Sequence, residues 1–276
     1  MQPEAGSQRS SASWRRRNLV VLRAGDSSLH RGWLDEPARD FDLFVSYYGS
    51  VPGRHEETSD YYEARRGAKW TGIDALLRDY AQLLDVYEAF WFPDDDLETS
   101  GAEIDRMFAF FRAYRLCLAQ PALTRDSYYT WDTLLQEPDC HIRYSGFVEV
   151  MAPIFSRDAL RICRPTFAES RSGWGLDWLW PTLCREHGLD RIAVIDATPV
   201  RHTRPVGGEL YRNNPDLDPR AEARRLLRRY GIPEVRAIAK YSFGRRVREV
   251  SQPLGERLVF WLKRLNGQRK HRRARA

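Results

Sequence analysis

Between residues 18 and 196 short apolar runs alternate with stretches of helical periodicity, and this alternation restricts the fold more than any other feature of the chain. Asn18–Arg23 and Phe41–Tyr47 read as short buried strands, with the loop Ala24-Gly25-Asp26-Ser27-Ser28 after the first and a turn-rich stretch from Tyr48 to Arg66 after the second. Trp70–Leu84 reads as a helix. Val86–Phe92 is an aromatic, apolar run short enough for a central strand, and Pro93 stops it. Ser100 and Glu103 form a capping-box pattern ahead of Ile104, Met107, Phe108 and Phe111, which mark one face of an amphipathic helix. Further strands are expected at Leu116–Ala119, near Gly146–Ala152 and at Ile192–Asp196, with helices at Arg157–Cys163 and around Leu176–His187. Such interleaving predicts an α/β fold whose sheet pairs parallel strands over much of its width.

A chain of 276 residues suits one large α/β domain with a peripheral extension. The expected division is a flexible basic leader at 1–17, the domain at 18–208, and a linker with a basic helical C-terminal extension at 209–276. The extension contains a basic helix at Ala221–Tyr230 and an amphipathic segment, Arg257–Leu265. A net charge of +6 favours acidic partners: phosphates, anionic polymers or an anionic membrane surface. Nothing points to a specific nucleic acid. The four cysteines form no CxxC pair, and four buried thiols are expected. No uncharged run approaches the roughly 20 residues of a membrane helix, so the expected place is the cytoplasm, with peripheral contact at the inner face of the membrane open.

Against this basic background Asp94, Asp95 and Asp96 stand out, directly after the Val86–Phe92 strand. In open α/β sheets, ligands bind outside the carboxyl ends of strands. Three adjacent carboxylates repel, each pair costing about 1 to 4 kcal/mol at roughly 4 Å, so a positive partner is expected. Ser100 and Glu103 already cap the next helix, which leaves the triplet free for other work; a solvated acidic turn is the plain alternative. Hard oxygen ligands here suit Mg²⁺ or Mn²⁺ shared with a substrate diphosphate.

Phe92-Pro93-Asp94-Asp95-Asp96 after an apolar strand resembles the DxD element of GT-A glycosyltransferases. The longer pattern, Asn18–His30, Trp91–Leu97 and Gly173–Trp178, is similar to an uncharacterised family labelled "lysine-ketoglutarate reductase trans-splicing related". The resemblance implies a GT-A-like, single Rossmann-type domain with a mostly parallel central sheet flanked by helices. It implies transfer of a sugar from a nucleotide-diphosphate donor to a hydroxyl of a glycan or lipid-linked acceptor, with inversion. Asp96 would be the main metal ligand, with Asp94 and Asp95 toward the nucleotide and Asp94 also near the ion. A late histidine, His202, would complete the metal set, and an imidazole beside carboxylates tilts preference toward Mn²⁺. Gly173-Trp174-Gly175-Leu176-Asp177 resembles a segment whose carboxylate takes the acceptor's proton, which makes Asp177 the catalytic candidate.

Other residues complete the expected site. Arg201 and Arg204 have the guanidinium geometry to clamp a diphosphate. Arg23 and Asp26 end the first strand, and Lys69 and Trp70 open a helix whose amides attract phosphate, so both loops are nucleotide-binding candidates. Trp174, Tyr144 and Glu149 are acceptor-side candidates; a place in the core is the alternative for Trp174. Two other functions fit a DxD pair and a basic surface: a Mg²⁺-dependent phosphoryl or nucleotidyl transferase, and a non-catalytic module for an anionic polymer or lipid surface.

Overall fold

The run Asn18–Ala24 forms strand β1, and every residue in it is buried. Pleating divides its side chains between two cores, with Val20, Leu22 and Ala24 in one and Leu19 and Val21 in the other. A strand apolar on both faces needs cover on both, the condition met by parallel sheets in α/β folds. In this computed structural model, which describes residues 16–35, 38–138, 140–205, 216–232, 237–240 and 248–251, that condition is satisfied.

β2 (Phe41–Tyr47) and β4 (Ala89–Trp91) flank β1 and run parallel to it, and β3 (Tyr61–Ala64) adds a further parallel strand beyond β2. Direction reverses at β8 (Ile154–Ser156) and is restored by β6 (Leu118–Leu123), which pairs parallel with β9 (Ile192–His202). The short strands β5 (Leu97–Glu98) and β7 (Ile142–Tyr144) run antiparallel to β9. Six of the nine strands described in this sheet therefore point one way.

Helix α3 (Gly101–Ala113) covers one face through Ile104, Met107, Phe108 and Phe111. The other face takes α1 (Lys69–Asp79), α4 (Arg157–Cys163) and α5 (Leu176–Glu186), with Ile73, Leu77, Leu160, Leu179 and Trp180 among the buried contacts. Each such side chain contributes about 1.5–3 kcal/mol when fully buried, so these stripes fix the helices to the sheet. The expected cap is present: Ser100 Oγ accepts the Glu103 backbone N–H at 3.2 Å.

Some local expectations need correction. Gly146–Ala152 is not a strand, because its polar groups are bonded elsewhere: Glu149 N–H donates to Gln120, and the Val150 and Met151 carbonyls accept from Lys69. The helix expected over Trp70–Leu84 ends at Asp79, and Leu83–Val86 forms a separate turn, α2. The strand β3 arises inside the turn-rich stretch. The four cysteines are buried thiols outside any disulfide. Beyond the domain, the basic helix α6 (Pro219–Arg229) packs on α5, and the strands β10 (Ala237–Lys240) and β11 (Arg248–Ser251) form an antiparallel pair. Arg257–Leu265 and residues 1–15 of the leader lie outside the described residues. Among those described, no helix is long and apolar enough to cross a membrane.

Candidate active site

Pro93 ends the β4 region, and the triplet follows at the sheet's carboxyl edge before the chain pairs as β5 with the end of β9. The register sets Leu97 opposite His202. One residue earlier, the Asp96 carbonyl accepts both the backbone N–H and the hydroxyl of Thr203, at 3.1 and 2.8 Å. This pairing brings His202 Nε2 to 3.2 Å from Asp96 Oδ2. The other ring nitrogen, Nδ1, lies 2.7 Å from the Tyr128 carbonyl, which can only accept, so Nδ1 carries the proton. Burial opposes charge on His202, but Asp96 and the Tyr128 carbonyl outweigh it and raise the imidazole pKa to about 9.

The other two aspartates also have cationic partners. Lys69 Nζ donates to Asp94 Oδ1 at 2.6 Å and to the Val150 and Met151 carbonyls at 3.0 and 2.8 Å. Asp95 Oδ2 accepts the Gly25 N–H at 2.7 Å, and its Oδ1 meets Arg204 Nη1 at 3.1 Å. Burial still lifts the Asp95 carboxyl to about 6. The positive partner expected for the triplet is thus supplied by the chain itself, through Lys69, Arg204 and His202. Crowding of three anions does not by itself require a metal ion, and the case for one rests on Asp96 and His202.

Asp94 exposes 39% of its side chain, against 8% for Asp95 and 11% for Asp96, so Asp94 is the member open to a ligand. Asp95 ties the loop after β1 to the triplet, and Arg204 extends that tie to the Ser27 carbonyl and hydroxyl.

Two further carboxylates approach. Asp177 lies in the first turn of α5, where its Oδ1 accepts the backbone N–H of Gly175 and Trp178 at 3.0 and 3.1 Å. Glu149 is on the segment stitched between that helix and the triplet: Val148 N–H reaches the Asp177 carbonyl, and the Met151 carbonyl accepts the Asp94 N–H. The Glu149 carboxylate receives no hydrogen bond from the described residues. Burial, and then the negative charge of Asp177, push it up to about 8, while His202 and Lys69 pull the other way.

The loop before α5 is fixed by its glycines. Gly173 and Gly175 have φ of +81° and +92°, and a Cβ on them would come within 2.8 Å of the Trp70 ring and 3.0 Å of Ala223 Cα. Trp174, half-buried, stands between them. Glu222 on α6 accepts the backbone N–H groups of Arg171 and Ser172.

Several expected site residues are placed elsewhere. Trp70 is 1% exposed, packed among Phe92, Phe167 and Trp180, and belongs to the core. Arg201 alternates with His202 along β9 and so falls on the opposite face, paired with Glu98 and Asp126 at 2.8 Å each. Tyr144 pairs with Ala193, at the end of β9 away from His202. Arg23 is buried and bonded to Ser46 and the Gly67 carbonyl, and burial lowers it to about 10. Asp26 is held by the Tyr47 and Ser50 hydroxyls, which bring its carboxyl down to about 2. It borders an open cavity of about 690 Å³ between the loops after β1 and β2, together with Arg31, Arg54 and His55. The sequence reading did not single out these three; they come from the turn-rich stretch and the short helical turn at His30–Trp33, neither of which carries a motif.

Among the described residues no three His, Cys, Asp or Glu side chains form a metal cluster. Asp96 and His202 offer one carboxylate oxygen and one imidazole nitrogen. With its pKa raised to about 9, His202 carries a proton on both ring nitrogens at neutral pH and donates Nε2–H to Asp96; a metal ion would take the place of that proton. By donor type alone, one carboxylate oxygen and one imidazole nitrogen would suit Mn²⁺ or Mg²⁺.

With the geometry in place, comparison with solved structures gives the class of fold: its structural neighbours are GT-A glycosyltransferases. The crystal structure of GalNAc-T7 with UDP, GalNAc and Mn²⁺ superposes with a TM-score of 0.53 at 9% identity, over 70% of this chain and 44% of that one. S. aureus TarS 1–349 gives 0.49 at 12% identity, over 78% and 72%. A longer TarS structure gives 0.46 at 12% identity, over 78% and 43%, so the chain spans less than half the length of two of these three structures. The family described as a protein of unknown function, DUF707, matches residues 132–248. A search of curated proteins returned no match.

Proposed function

We propose that this chain is a glycosyltransferase that takes a sugar from a nucleotide-diphosphate donor and passes it, with inversion, to a hydroxyl of a glycan or lipid-linked acceptor. The observation that carries the reading is the Asp96–His202 pair at 3.2 Å on the carboxyl edge of a GT-A-like sheet. Asp96 and His202 would hold a divalent cation, Mn²⁺ or Mg²⁺, whose chemistry when bound is to offset charge on a departing diphosphate. The name of the GalNAc-T7 structure, with UDP and Mn²⁺, supports the same donor class. Asp94, the exposed member of the triplet, faces the donor.

An acceptor hydroxyl must lose a proton as the sugar bond forms. Asp177 and Glu149 are the two carboxylates within reach of this role. Asp177 already receives two backbone N–H groups on one oxygen, whereas Glu149 receives none, and this favours Glu149.

A thermal-shift titration with UDP and GDP, with and without Mn²⁺, tests the reading. A nucleotide at about 100 times its Kd contributes roughly 2.7 kcal/mol of stability, visible as a rise in Tm. The expected outcome is a rise that needs the metal and disappears in Asp96→Ala and His202→Ala. A metal-independent rise, or none with any nucleoside diphosphate, would count against it.

A further inference from the structure

Helix α6 carries Arg220, Arg224, Arg225, Arg228 and Arg229, and all five are exposed. Its inward side is fully engaged: Leu226 and Leu227 are buried, Ala223 abuts Gly175, and Glu222 holds the Arg171 and Ser172 amides. Arg229 pairs with Glu169, and Arg225 feels Glu222. Arg220, Arg224 and Arg228 have no acidic partner among the described residues.

These three are spaced four apart, so they form one stripe on the solvent side, with about 6 Å of helix rise between neighbours. Like charges at this spacing repel and weaken a helix, so folding gains nothing from the stripe. A row of unpaired guanidiniums at regular intervals matches a linear chain of anions at a similar spacing. No large apolar side chain accompanies the stripe, since both leucines face inward and only Ala221 shares its face, and a helix lying in a membrane interface needs an apolar face to bury.

We infer that the Arg220–Arg224–Arg228 stripe is a docking surface for a linear phosphodiester-type polyanion, recognised by charge and spacing. The inference stands apart from the glycosyl-transfer reading, because it uses none of the residues of that site.

The test is fluorescence anisotropy of the full chain with a labelled oligothymidylate, used as a phosphodiester chain of neutral sequence, between 50 and 200 mM salt. Losing three phosphate contacts should flatten the slope of log affinity against log salt by about 2, at about 0.7 per contact. R220Q/R224Q/R228Q should therefore bind at least about tenfold more weakly at the low end of that range. Glutamine keeps helix propensity, and an unchanged melting curve would confirm the fold. A control, R272Q/R273Q/R275Q, removes the same charge from the C-terminal end of the sequence and should change binding less than about threefold. Equal loss in the control would reduce the effect to net charge and overturn the assignment. Stripe-dependent binding to phosphatidylserine vesicles, with the oligomer unaffected, would overturn it in favour of a lipid surface.

Discussion

At the scale of single residues, the site turns on which charges are already matched. Lys69 leaves the Asp94 carboxylate and the Val150 carbonyl without a donor if it is removed, while the Met151 carbonyl keeps the Asp94 N–H, so Lys69→Met should cost about 2–3 kcal/mol in urea unfolding; a smaller loss in the Asp94→Asn background would locate the coupling. Glu149 works in the opposite sense. Its carboxyl stands at about 8 in the fold against an ordinary 4.5, so the native state holds a proton that the unfolded chain has released. Stability from this group is therefore lost as pH rises from 4.5 to 8 and is constant beyond. Glu149→Gln cannot ionise, and its advantage over the parent should grow across that window; parallel unfolding curves at pH 5 and pH 8 would refute the placement. The same variant should lose glycosyl transfer by at least about a hundredfold while keeping nucleotide affinity, and Asp177→Asn should lose less. The triplet itself was legible in the sequence, because three acids after an apolar run are conspicuous. Lys69, Arg204 and His202 were legible as site residues too, but not as its counter-ions, because that role comes only from the loop stitching and the β5–β9 register.

At the scale of elements, the loop before α5 depends on a helix that lies outside the domain boundary expected from composition. Gly175 combines a left-handed φ with a backbone approach to Ala223, so both conformation and space forbid a side chain. Gly175→Ala should cost about 1–3 kcal/mol, and Glu222→Ala should free the Arg171 and Ser172 amides at about 1–2 kcal/mol. Both should also lower transfer, because the loop that carries Trp174 and leads into Asp177 would lose its brace; undiminished activity in Gly175→Ala would show that α6 has no part in the site. The helix was legible from its charge and periodicity, as were β1, β2, α3 and α4, whose patterns are local. Its docking was not, because a Gly-Trp-Gly run does not announce which backbone fills the space beside it. The misread stretch at Gly146–Ala152 has the same origin: an apolar run resembles a strand until its amides and carbonyls are claimed by Gln120 and Lys69.

At the scale of the molecule, one sheet serves two cores, and β1 joins them. Alternate residues of β1 enter the cluster under α3 and the cluster under α1, α4 and α5, so neither face can come apart while the strand keeps its place. The parallel order was legible because continuously apolar strands need cover on both sides; the reversals at β8, β5 and β7 were not, since strand direction depends on long-range connections that periodicity does not encode. Phe108 lies in the first core and Trp180 in the second, both fully buried. Truncating either to alanine should cost about 3–5 kcal/mol, from lost burial together with the cavity left behind. If the shared strand couples the faces, each variant should unfold in one transition whether followed by fluorescence or by circular dichroism. The side chains lie in different clusters and share no partner, so the double variant should lose the sum of the two within about 0.5 kcal/mol. A first transition confined to one face, with the other still folded, would mean that β1 does not bind the two cores into one unit; Asp96 and His202, which come to the sheet edge on separate segments, would then owe their approach to the short β5–β9 pairing alone.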